Sequence, residues 1–160
     1  MCSIISCSLP IDNLEYINYF TQFRGPDSTN THTKNDVNFI HKLLIINGIF
    51  TTSPFIKENI VCLYNGEVYN YKDFGNYSSD GKCLIFLYLE YSVVFVSKFN
   101  GEFAIFLMYF SKDLSVASTE IFGKKPLWYE VNGEHFGIAS YKSVLERIGH
   151  ENIQRLKATA

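Results

Sequence analysis

Asn-Gly pairs at 47–48, 65–66, 100–101 and 132–133 punctuate this chain and limit what it can fold into. Each stands at the end of an apolar stretch. Asn and Gly tolerate the positive φ of a tight reversal, so Asn-Gly between apolar runs is a strong hairpin signal. At 132–133 the pair separates 127–131 from 135–139, which predicts a hairpin. At 47–48 it ends an expected strand over 37–46, and at 100–101 it closes an apolar stretch, 81–98, read as a buried helix. Strands in two sets with a few helices predict an α+β layered fold.

The remaining elements follow from local signals. Residues 2–9 form an apolar run bounded by Pro10 and are expected to be a buried strand. Asp12 and Glu15 have capping-box spacing, and Ile17, Phe20 and Phe23 then repeat at helical spacing, predicting a helix over about 13–23. Arg24-Gly25-Pro26-Asp27 breaks it with turn chemistry. Strands are expected at 29–33, 60–64, 103–110 and 115–119, and a short helix over 141–148. The stretch 103–110 is apolar on both faces, which implies burial between layers. Residues 1–149 are expected to form one domain, and 150–160 a loose polar tail.

Composition narrows the function classes. Of 160 residues, 47% are apolar and 16% aromatic, enough for a sizeable core. A net charge of −2 gives no argument for nucleic acid or a membrane surface, and neither is expected as a partner. Cys2, Cys7, Cys62 and Cys83 show neither C-x-x-C nor zinc spacing, so free thiols in a soluble cytoplasmic protein are expected, with neither metal nor cofactor. The apolar stretch 84–96 carries Glu90 and is short for a membrane span.

Chemistry centres on Cys2. Removal of Met1 would leave this residue with a thiol and a free α-amine, whose unperturbed pKa is roughly 7.7–8.0. Such an amine can take the proton of its own thiol, so one residue carries nucleophile and base. Taken alone, Cys2 reads better as a small apolar residue opening a buried strand. Asn65-Gly66 has two readings, a hairpin turn or a pair of donors forming an oxyanion hole. Asp80 reads locally as the N-cap of the following helix.

Several motifs occur together: Met1-Cys2-Ser3-Ile4, Arg24-Gly25-Pro26-Asp27, His41 with Leu44 and Ile46, Asn65-Gly66-Glu67-Val68-Tyr69-Asn70, Ser79-Asp80, Asn100-Gly101-Glu102-Phe103-Ala104, Phe122-Gly123-Lys124-Lys125-Pro126-Leu127 and Ala139-Ser140. In this order and spacing the chain resembles the class II glutamine amidotransferase domain, in particular the amino-terminal glutaminase domain of asparagine synthetase B-type enzymes. The resemblance implies a four-layer αββα N-terminal-nucleophile hydrolase sandwich of two antiparallel sheets. It implies hydrolysis of L-glutamine to glutamate and ammonia through a glutamyl thioester on Cys2, with no metal and no cofactor. Asn65 and the Gly66 amide would hold the oxyanion, and Asp80 the substrate's α-ammonium. Leu44, Ile46, Asn47 and Glu67 would line the glutamine pocket, and Arg24 would tie its turn into the core.

Three departures from the family pattern change what is expected. Leu43 stands where the family has an arginine that grips the substrate carboxylate, and leucine cannot pair with a carboxylate. Lys42 is adjacent, but one step along a strand turns a side chain to the opposite face. Thr119-Glu120 replaces the usual Arg-Asp. A synthetase domain is not seen within 160 residues, so ammonia is expected to pass to a synthetase partner in trans. Leu43 also leaves an alternative: a catalytically impaired binding or regulatory module, or an amidase for a substrate lacking the glutamine carboxylate.

Overall fold

Alternation along the strands sorts the apolar residues into separate cores, and those cores define the layers. The computed structural model describes residues 2–45, 51, 53–133 and 135–158. In chain order the elements are β1 (Ser3–Cys7), α1 (Leu14–Thr21), β2 (Ser28–Lys34), β3 (Val37–Leu43), β4 (Phe55–Lys57), β5 (Ile60–Val68) and α2 (Leu84–Tyr91). They continue with β6 (Gly101–Tyr109), β7 (Leu114–Thr119), β8 (Trp128–Asn132), β9 (His135–Ala139), α3 (Lys142–Ile148) and β10 (Gln154–Arg155). One sheet has the order β10-β8-β9-β1-β3-β2 and the other β4-β5-β6-β7. All neighbouring strands are antiparallel.

Ile4, Val37 and Phe39 of the first sheet meet Val61, Leu63, Ala104 and Phe106 of the second in the inner core. The alternate residues face outward. Ile5, Ile40 and Ala139 pack on Ile17 of α1 and on Val144 and Leu145 of α3. Ile60, Cys62, Ile105 and Leu107 pack on Leu84, Leu87 and Tyr88 of α2 and on Phe95. The architecture is therefore the αββα sandwich of two antiparallel sheets. Both outer faces and the inner face of β6 are covered, which is why 103–110 is apolar throughout.

Several local readings need correction. Asn13, not Asp12, caps α1, its Oδ1 accepting from the Tyr16 amide at 2.8 Å. The helical run then tightens to a 3-10 turn over Gln22–Arg24. β3 ends at Leu43 rather than at 46. Asn65-Gly66 is not a turn: β5 continues straight through it to Val68. The stretch 81–98 is three pieces, a 3-10 turn at Asp80–Cys83, α2, and a 3-10 segment at Ser92–Lys98. The break falls at Ser92, whose φ of 56° ends α2, and the β-branched Val93, Val94 and Val96 that follow are poor helix formers. Residues 150–158 of the expected loose tail are instead tied down. β10 pairs with Tyr129 and Trp128 of β8, and buried His150 Nδ1 lies 2.7 Å from Glu130 Oε2, whose other oxygen accepts from the Asn152 amide at 2.7 Å.

His41 ties the sheets together at the rim of the inner core. Its Nε2 lies 2.6 Å from the Tyr64 carbonyl of β5, so Nε2 carries a proton and donates. Nδ1 then accepts from the Ser53 hydroxyl. The ring is buried, and burial lowers its pKa to about 4, against the opposing pull of the Tyr64 carbonyl. An unfolded histidine titrates near 6.5. Between those values the unfolded chain binds a proton that the folded chain refuses, so stability is complete above pH 6.5 and falls as pH drops toward 4. The loss attributable to His41 should be roughly 3 kcal/mol. Urea unfolding at neutral pH and near pH 4 should show His41→Gln losing less stability across the window than the parent; an equal loss would show that the ring does not carry this dependence.

Candidate active site

The inner-facing alternation of β1, β3 and β5 continues past the apolar core and becomes polar. From Ile4, Phe39 and Leu63, steps of two reach Cys2, then His41 and Leu43, then Asn65 and Glu67. All five line one cavity of about 380 Å³, together with Leu44, Tyr64, Gly66, Asp80 and Lys125. The volume suits a small polar molecule. Two-residue periodicity thus delivers side chains from three strands to one open end of the sandwich.

Cys2 is half-buried, and its Sγ accepts from the Leu44 amide at 3.4 Å while lying 3.8 Å from the Leu44 carbonyl. β1 pairs with β3 from Ser3 opposite Lys42, so the residue before Ser3 falls opposite Leu43, one step from Leu44. The Arg24-Gly25-Pro26-Asp27 turn holds that end of β3. The Asp27 amide donates to the Leu43 carbonyl at 3.1 Å, and Asp27 Oδ2 accepts from the Ile45 amide at 2.7 Å. A Cβ on Gly25 would lie 2.4 Å from the Lys42 carbonyl, so only glycine allows this approach. Arg24 stacks over Tyr141 at 4.9 Å and is not among the cavity residues. Burial raises the Cys2 pKa, and the Leu44 amide opposes that rise. The thiol is therefore neutral unless a base takes its proton.

Asn65 is buried, and among the described residues its Nδ2 has no hydrogen-bond partner. A buried donor left without an acceptor is costly unless a ligand supplies one. Gly66 has φ 156°, and a Cβ there would lie 2.1 Å from the Glu102 carbonyl. β5 and β6 approach so closely at this point that no side chain fits. Gly101 shows the same constraint from the other strand, 2.1 Å from the Glu67 carbonyl.

Asp80 does not cap α2. Its Oδ2 accepts from the Tyr64 hydroxyl at 2.5 Å and from the Val68 amide at 2.9 Å, and Oδ1 accepts from the Gly81 amide at 2.9 Å. Burial first, then the Asp80 charge, pushes the Tyr64 hydroxyl well above its ordinary range, so it remains a donor. Leu43 presents its side chain to the cavity, whereas Lys42 points to the opposite face and donates to Thr29 Oγ1 at 2.6 Å. Ile46 and Asn47, expected to line the glutamine pocket, lie outside the described residues.

Two contributors escape local sequence reasoning. Glu120 Oε2 accepts from the Phe122 amide at 2.7 Å, and Oε1 accepts from the Lys124 amide and, at 3.4 Å, from the Lys125 amide. Glu120 therefore shapes the Phe122–Pro126 loop from beneath, and this places Lys125 at the cavity. The available signal was an acid just ahead of a Gly-Lys-Lys loop, which needs its amides satisfied.

Cys7, Cys62 and Cys83 are fully buried, and burial raises all of their pKa values, those of Cys7 and Cys83 to about 12. Brief treatment of folded protein with iodoacetamide should therefore give a single adduct on Cys2, read by peptide mass spectrometry. Comparable labelling of the other thiols would contradict the exposure described here.

Comparison with known proteins identifies the family. The family model described as "Glutamine amidotransferase domain" matches residues 1–157. The chain is 32% identical over 118 residues to "Asparagine synthetase [glutamine-hydrolyzing] 2" of Bacillus subtilis, covering 67% of this chain and 16% of that protein. It is 27% identical over 140 residues to "Putative asparagine synthetase [glutamine-hydrolyzing] 1" of Methanocaldococcus jannaschii, covering 79% of this chain and 25% of that one. The chain thus spans a quarter or less of the length of these relatives. Among solved structures, glutamine phosphoribosylpyrophosphate amidotransferase of B. subtilis superimposes with a TM-score of 0.69 at 15% identity, over 98% of this chain and 46% of that one. The matched length, the asparagine synthetase relatives and the shared sandwich lead to one conclusion: this chain belongs to the glutamine amidotransferase domain family.

Proposed function

We propose that this domain hydrolyses the side-chain amide of L-glutamine to glutamate and ammonia, with Cys2 as nucleophile. The single observation that supports it best is the buried Nδ2 of Asn65, without a partner among the described residues, in the same cavity as the half-buried Cys2 thiol. With Met1 removed, the neutral α-amine of Cys2 takes the thiol proton and the sulfur attacks the amide carbonyl. Asn65 Nδ2 and the Gly66 amide receive the oxyanion. Collapse expels ammonia with the proton held by the amine, leaving a thioester that water cleaves to glutamate. A raised thiol pKa fits this scheme, because the site then depends on a base next to the sulfur. Asp80 and Glu67 supply the negative charge that an α-ammonium requires. The ammonia is released for the acceptor site of a synthetase.

Leu43 favours a second reading, an amidase whose substrate has no carboxylate at that position, or a module that binds without turnover. Glutamate release from glutamine by purified protein separates the readings. Cys2→Ala should abolish release with little change in melting temperature, and intact mass of an active preparation should lack Met1. Asn65→Ala should lower turnover by about 10²–10³ with a modest change in KM. Full activity in Asn65→Ala, or Met1 retained in active protein, would refute the mechanism.

A further inference from the structure

The charges in the cavity are unevenly placed. Two acids, Glu67 and Asp80, line it. Among its described residues the permanent cation is Lys125, since burial keeps His41 neutral and Lys42 faces away. A zwitterionic amino acid entering here finds acid for its ammonium at two positions and a cation for its carboxylate at one. An unpaired carboxylate in a site that strips its water is costly.

Lys125 is also free to take that role. Its present partner is Glu102 Oε2 at 3.7 Å, a loose contact. Lys124 holds the other oxygen of Glu102 at 2.5 Å, so Glu102 keeps a counter-ion if Lys125 turns away. Lys124 does not line the cavity, whereas the Lys125 side chain is 14% exposed and does. The backbone beneath is fixed by Glu120, so only the flexible stem of Lys125 has to move.

We infer that Lys125 is a specificity-determining residue of this pocket, pairing with the carboxylate of an amino-acid amide that Leu43 leaves without a partner. The inference rests on the glutaminase reading for the identity of the amide, and its test separates the two. The ligands are L-glutamine and γ-aminobutyramide, the same amide without its α-carboxylate. Affinities are measured by calorimetry on Cys2→Ala protein, and KM and kcat on the active enzyme.

Lys125→Met, or Lys125→Gln if the first variant folds poorly, should weaken glutamine binding roughly 10- to 100-fold and raise KM accordingly. Binding of γ-aminobutyramide and kcat should change little, since the carboxylate contact is the same in ground and transition states. Lys125→Arg should keep most of the preference for glutamine. Equal loss for both ligands, or none for glutamine, overturns the inference. So does a Lys125→Met enzyme slowed on both substrates with a displaced pH profile, because Lys125 would then act on the thiol. Glutamine bound with a Lys125-dependent preference but never hydrolysed leaves the inference standing and removes the glutaminase reading. A parent that binds no glutamine removes both.

Discussion

The packing of two sheets face to face through one shared apolar layer is the constraint on which the site depends. Ile4, Phe39, Val61, Leu63 and Phe106 fill that layer where the strands overlap. The strands run beyond it, and their alternation does not stop. Where the apolar contribution ends, the same face carries Cys2, His41, Asn65 and Glu67 into a cavity. Core and site are therefore one periodic arrangement. A one-residue slip in β1, β3 or β5 would turn a core residue out and remove a site residue at the same time.

Close backbone approaches give the arrangement its precision. Gly66 and Gly101 let β5 and β6 pass where side chains would collide, and Gly25 lets the Arg24–Asp27 turn lie on β3. The result is a rigid edge at Leu44, whose amide meets the Cys2 sulfur. Glu120 performs the equivalent task for the loop that carries Lys125. Each of these devices spends backbone hydrogen bonds or glycine entropy on position rather than on apolar burial.

The electrostatics are those of a site that has to be completed. Burial holds the Cys2 thiol protonated and His41 neutral, so neither supplies charge at rest. Asn65 keeps a buried donor without an acceptor among the described residues. Asp80, by contrast, already accepts three hydrogen bonds and so is fixed in place before any ligand arrives. Stability is given up at Asn65 and organised at Asp80, a pattern expected where a ligand supplies the missing partner.

Much of this was legible in the chain itself. The β8–β9 hairpin follows from Asn132-Gly133, the buried β6 from its unbroken apolar run, and the opposite facing of Lys42 and Leu43 from strand geometry. The motifs from Cys2 to Asp80 were enough to mark the family. Other features required the fold. Whether Asn65-Gly66 turns or runs on is decided by β6, because Gly66 is there to let Phe103 and Glu102 approach, a contact thirty-odd residues away that no local rule sees. The residues after Gly149 look polar and free until Glu130 of β8 accepts from the Asn152 amide and meets His150. Lys124 and Lys125 stand side by side in one motif, and only the turn shaped by Glu120 separates them and places Lys125 at the cavity. Sequence determined periodicity, chain reversals and the chemical groups available, since these depend on neighbours along the chain. Tertiary structure decided which groups meet, since antiparallel pairing joins residues far apart in sequence.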